Sequence, residues 1–178
     1  MKSPLTKLLL ALCMVCTASA FAQLPRSTTK TIALNAIDSE QHKILFEAVK
    51  VTQMEEILEK AGPFTIFAPS DAAFERFSTE KIKQLINSQD KSALKSLLTY
   101  HIVAGHLTAS RILRAMCRGN GKASFTTIQG KKLLAHMEGF DIVLTDPMGN
   151  QARITSADLN LKNGVAHEID SVILPSQM

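Results

Sequence analysis

The stretch GPFTIFAPSDAAFERF, residues 62–77, changes its backbone pattern twice in sixteen residues. Gly62 and Pro63 open it. Residues 64–68 mix aromatic and β-branched side chains, which reads as a strand. Pro69 has no N–H to donate and ends the ladder. Ser70 or Asp71 then caps a helix running to Phe77, which places Phe74 and Phe77 on one face. A strand handed directly to a helix is the shape of a nucleophile elbow, and equally of a structural corner.

Upstream, the pattern turns helical from Asp38. Asp38 or Ser39 is the expected N-cap, with Glu40 and Gln41 in the first turn and Ile44, Leu45, Ala48 and Val49 at helical spacing. A break near Val51 and Thr52 separates a short second helix, 53–60, which Gly62 can close as a left-handed cap. Downstream, 78–87 is a further helix burying Ile82, Leu85 and Ile86. The segment 88–103 carries the strongest apolar stripe, Leu94, Leu97, Leu98, His101 and Ile102. One more helix is expected at about 108–117, ended by RGNG.

From Ser124 onward the period changes from helical to two. The runs FTTIQ, KLLAHM, DIVLT, QARITS and VAHEIDSVIL, separated by turn residues, predict antiparallel hairpins. Helices first and strands later, with one early strand, give an α+β class rather than alternating βαβ units. In the last run Val165, His167 and Ile169 share one parity, and Val172 and Leu174 the other. That predicts a β-bulge near Asp170 and Ser171. Asn163 and Gly164 before it suit a tight turn.

The first 22 residues have Lys2 and Lys7, an apolar stretch and then small residues ending Ala20-Phe21-Ala22, the three parts of a secretory signal. The apolar stretch is shorter than the roughly 20 residues a bilayer span needs. Cleavage after Ala22 leaves a flexible arm at 23–37 and a single domain at 38–176. It also takes Cys13 and Cys16 away, so Cys117 has no internal disulfide partner. It is expected to be an inert, buried thiol. The net charge falls from +4 to +2 with the two lysines. That small excess, with no Trp and one Tyr, argues against nucleic-acid binding. No second spanning segment follows, and a monomer is expected.

Three stretches, FTIFAPSDAAF (64–74), YHIVAG (100–105) and NGVAHEIDSVILP (163–175), together resemble the fasciclin-like domain of small exported bacterial proteins. The positions matching the family's motifs are Phe64, Phe67, Pro69, Ser70, Asp71 and Phe74 in the first stretch. Tyr100 and His101 match in the second, and Asn163, Gly164, His167 and Asp170 in the third. The resemblance implies two antiparallel β-sheets forming a wedge, packed with a cluster of α-helices. It also implies adhesion or ligand binding without catalysis or cofactor, and it favours the corner over the elbow at residues 69–71. There Asp71 is expected to hold the N–H groups of its own turn, where a helix N-terminus favours a carboxylate. Ala104 stands where many members have proline, so a looser loop is expected.

Ser70 lacks the glycines of a Gly-x-Ser-x-Gly elbow, although Ser70, His101 and Asp71 supply a triad on paper. The five histidines are dispersed, and no Cys or carboxylate joins them at metal-ligand spacing, so no metal site is expected. His101, on the apolar stripe, is expected to be buried and hydrogen-bonded. Arg111, Arg114 and Arg118 form a basic stripe that Lys122, Lys131 and Lys132 could extend, suited to an envelope or extracellular protein, a glycan or a lipid headgroup. The sequence therefore points to an exported adhesion or binding module. The alternative is a periplasmic small-molecule carrier or hydrolase using a cleft between wedge and helices.

Overall fold

The computed structural model describes residues 40–161 and 163–176. The leader, the arm and the expected caps Asp38 and Ser39 lie outside the described residues. Strand β1 (Phe64–Pro69) is buried at every position after Phe64. It is flanked on both edges. One neighbour is β2 (Ile102–Ala104), antiparallel with Ile66 opposite Ile102. The other is β7 (Gly164–Ile169), parallel with Phe64 opposite Gly164 and Pro69 opposite Ile169. A strand covered on both faces needs apolar residues on both parities, which is what FTIFAP supplies.

The remaining strands are β3 (Lys122–Thr126), β4 (Lys132–Glu138), β5 (Asp141–Thr145) and β6 (Gln151–Leu161), giving the order β2-β1-β7-β6-β5-β4-β3. A bridge between Val103 and Thr127 brings the two ends of this ribbon together, so it is nearly closed. The α+β class is as the sequence implied, with β6 shared between the pairings of β3 to β5 and those of β1, β2 and β7. One correction concerns the pairing: the strands are mixed rather than all antiparallel, because the β1–β7 pair is parallel.

The helices are α1 (Lys43–Val51), α2 (Glu55–Lys60), α3 (Asp71–Asn87), α4 (Ser92–Tyr100) and α5 (Ala109–Arg118). α3 is two helices joined at Ser78, whose backbone is extended and whose Oγ accepts from Lys81 N at 3.3 Å. Ser70 caps the first of them by accepting from Ala73 N. α4 buries Leu94, Leu97 and Leu98 but stops at Tyr100. Residues 102–103, expected to continue it, instead pair with β1 as β2.

Asp71 does not hold its own turn. Its Oδ1 accepts from Ile44 N at 2.9 Å and its Oδ2 from Lys43 N at 3.2 Å, so it caps α1, whose own N-cap His42 makes no side-chain cap bond. The backbone supports this, with Asp71 N donating to Gln41 O at 2.8 Å. α1 thus begins at Lys43 instead of near Asp38. Asp71→Ala is expected to cost about 2 kcal/mol, because a charged acceptor and a helix cap are both lost. Urea melts check this. Asp71→Asn should restore part of the loss, whereas an unchanged midpoint in the alanine variant contradicts the cap.

The bulge expected near Asp170 is on the neighbouring strand. β7 ends at Ile169, and the register shifts fall in β6, between Ile154 and Ser156 and between Ser156 and Leu159. Asp158, inside the second shift, has φ of 63°. β3 also begins earlier than FTTIQ suggested. Asn163 Nδ2 reaches back to the carbonyls of Leu58 and, at 3.5 Å, Ala61, and so holds the end of α2.

Two cores flank this sheet. Phe67, Tyr100, Ile112, Leu133, Leu144, Ile169 and Ile173 belong to one. Leu45, Val49, Leu58, Ile66, Leu98 and Leu161, under α1, α2 and α4, belong to the other.

Candidate functional site

α5 exists because Thr108 caps it, with Oγ1 accepting from Arg111 N at 3.4 Å, and because Asp158 Oδ1 accepts from Ala109 N at 2.7 Å. Ile112 and Met116, one turn apart, anchor it in the core. The opposite face carries Arg111, Arg114 and Arg118, all exposed. Seven residues at 1.5 Å rise put these guanidinium groups along about 10 Å of helix. None lies within 4 Å of a carboxylate oxygen among the described residues. Arg111 Nη1 donates to His106 O at 2.7 Å and Arg118 Nε to Arg114 O at 3.4 Å, which fixes both side chains against backbone.

Lys122 follows the helix directly, since Lys122 N donates to Gly119 O at 3.2 Å. Lys132 pairs with Thr126, four residues further along β3, or about 13 Å. Lys122 is exposed just past the end of α5, while Lys131 and Lys132 sit at the far end of the hairpin. Cys117 is exposed on this helix, which corrects the buried reading. Its position one residue after Met116 carries it past the core-facing side.

The residues of the motif stretches lie elsewhere and mostly inward. Tyr100 is fully buried, and its hydroxyl donates to Lys132 O at 2.9 Å. Burial, aided by the charge of Asp146, pushes this phenol above its ordinary value. His101 is buried too. Its Nδ1 bonds to Leu97 O at 2.9 Å, and Ile173 N donates to its Nε2 at 3.4 Å. Burial pulls its pKa from 6.5 down to about 4. His167 stacks on Phe67 with ring centroids 5.7 Å apart. It bonds Leu107 O through Nε2 and receives Asp158 N at Nδ1, and burial lowers its pKa as well. Asp170 Oδ1 accepts from Arg153 N at 2.8 Å, and Asp170 O from Arg76 Nη1.

Ser70, His101 and Asp71 do not form a triad, because each is bonded to backbone and none to another of the three. The loop at 100–106 is pinned despite Ala104. Gly105 N donates to Pro63 O at 2.7 Å, Thr65 Oγ1 to Gly105 O at 2.6 Å, and Leu107 N to Thr65 Oγ1 at 2.8 Å. Among the described residues no group of three or more His, Cys, Asp or Glu is placed to hold a metal, and no helix is long and apolar enough to cross a membrane. The sequence reading missed Asp146, a buried carboxylate in the turn DPMGN. Its only local signal was an Asp opening a turn.

The fasciclin domain profile matches residues 40–175. The chain belongs to the fasciclin domain family. It is 30% identical to Protein sll1483 of Synechocystis sp., over 89% of this chain and 81% of that protein. It is 31% identical to the cell surface glycolipoprotein MPB83 of Mycobacterium bovis, over 64% of this chain and 44% of that protein. A solved FAS1 domain pair from the insect cell adhesion molecule Fasciclin I superposes with a TM-score of 0.72 at 17% identity. That match covers 83% of this chain and 51% of the insect chain, so this chain spans about half of it and shares its fold. All three motif stretches lie within the matched residues. In this chain their side chains bond mainly to backbone, and the arginine face lies outside them.

Proposed function

We propose that this fasciclin domain is exported by its leader and works at the cell envelope or beyond it, as a binding module that turns over no substrate. Relatives with cell-surface and adhesion names support the setting. The observation that carries the binding mode is the outward face of α5, with three guanidinium groups on one side of a helix anchored by Ile112 and Met116. Such a face takes an anionic surface, whether a glycan, a lipid headgroup layer or an acidic protein. Its attraction is screened over about 8 Å at physiological salt.

The test uses the mature chain, a sulfated glycan column, and vesicles rich in phosphatidylglycerol. Binding should weaken steadily as salt rises. Reversal of Arg111, Arg114 and Arg118 to Glu should reduce it by about a hundred-fold or more, each cation near an anionic surface contributing ~1 kcal/mol. The melting temperature should stay within a few degrees, because all three side chains are exposed and none forms an ion pair among the described residues. Salt-insensitive binding that survives the reversal would eliminate the arginine face, and reproducible hydrolysis of an ester, peptide or glycan would overturn the non-catalytic reading.

A further inference from the structure

In the core under α1 and α2, Leu45, Ile66 and Ala68 retain 7–8% of their accessible surface. That residual exposure faces a cavity of about 190 Å³. Protein interiors leave few voids wider than one water, and an apolar cavity of about 150 Å³ is enough to hold a benzene ring dry. Val49, Leu58 and Leu161 add to the apolar walls, and His101, which also lines the cavity, already bonds to backbone at both ring nitrogens, so water inside finds few hydrogen-bond partners.

The rim is different. Gln41, His42, Ser156 and Glu168 line it, and Ser156 stands between the two register shifts of β6, where the sheet's pairing opens. Bulges of this kind recur beside functional sites. Glu168 places a carboxylate there, with Oε1 accepting from Thr155 Oγ1 at 3.0 Å and Oε2 3.9 Å from His42 Nε2. An apolar depth with a polar, carboxylate-bearing rim selects an amphiphile with one tail and a head that donates hydrogen bonds. A carboxylate head would face Glu168. The volume accommodates roughly six carbons, taking a methylene as about the ~30 Å³ of one water.

We propose that this cavity binds a neutral, single-chain alcohol-type amphiphile of medium length. The site is independent of the arginine face, and the alcohol should still bind the chain with Arg111, Arg114 and Arg118 reversed. The probe is 1-hexanol, titrated into the full mature chain and followed by calorimetry and by amide shifts in NMR spectra. One-to-one, saturable binding is expected, with shifts centred on Leu45, Ile66 and Ala68. Hexanoate should bind about tenfold more weakly, and Glu168→Gln should narrow that difference. Ala68→Leu, which fills the cavity from β1, should abolish binding. Ala166→Leu, from β7, does the same should the first variant not fold. The proposal is overturned by absence of saturable alcohol binding, by binding that survives the filling variants, or by a preference for the carboxylate. Binding seen only after removal of residues 23–39 would also overturn it, by assigning the cavity to the chain's own leading segment.

Discussion

Asp146→Ala is expected to lower folding stability by about 4 kcal/mol, because it strips a buried carboxylate from four donors at once. Asp146 Oδ1 accepts from Met148 N and Asn150 N, each at 2.9 Å. Its Oδ2 accepts from Asn150 Nδ2 and Leu174 N, each at 2.8 Å. Three of these bonds close the β5–β6 turn. The fourth ties down the segment after β7, on which Ile173 packs and from which Ile173 N reaches His101. Hydrogen bonds to a charged group contribute ~1.5–3 kcal/mol apiece, but neighbouring ones are not additive, and water can enter at the turn. For a domain of this size the loss corresponds to roughly 8–16 °C in melting temperature. Asp146→Asn keeps one acceptor oxygen and should fall about halfway. A melting temperature within about 3 °C of wild type for the alanine variant would contradict this assignment.

Asp146 also shows where the sequence stops being legible. DPMGN reads as a turn, and a turn it is. Nothing within five residues says that its Asp is buried, or that its fourth donor comes from Leu174, 28 residues on. Asp71 was misread for the same reason. A carboxylate at the first position of a helix reads as that helix's own cap, yet the N–H groups it holds are 27 and 28 residues upstream. Ile102 ends the apolar stripe of α4, and Ile102 and Val103 also suit a strand. The pairing with β1 decides between them, and it depends on residues 64–66. By contrast β1, β4 and β5 are runs of strand-forming residues bounded by turn signals and lie close to where those signals put them. The candidate arginine face was legible because one helix contains it, anchored by Ile112 and Met116. The cavity was not, since residues from seven elements, α1, α2, α4, β1, β2, β6 and β7, line it and no local pattern brings them together.

Lowering the pH from 6.5 to 4 is expected to cost about 3 kcal/mol of stability through His101 alone. Burial in the apolar interior disfavours the imidazolium, while the Leu97 carbonyl and the charge of Asp146 oppose this without reversing it. The folded group titrates at about 4 against an ordinary 6.5. Above pH 6.5 the ring is neutral whether the chain is folded or not, and its contribution is fully present. Between 6.5 and 4 the unfolded chain takes up a proton that the folded chain refuses, so each pH unit removes up to ~1.4 kcal/mol. Below 4 both states are protonated and the loss is complete. His167, also lowered by burial, pushes in the same direction. Urea midpoints measured from pH 7.5 down to 4.5 should therefore fall most steeply between 6.5 and 5, before most carboxylates begin to protonate. His101→Asn should start from a lower stability at pH 7.5 yet lose it less steeply, because the titrating ring is gone. If the variant's slope through that interval equals the wild type's, His101 is not the group that the acid reaches.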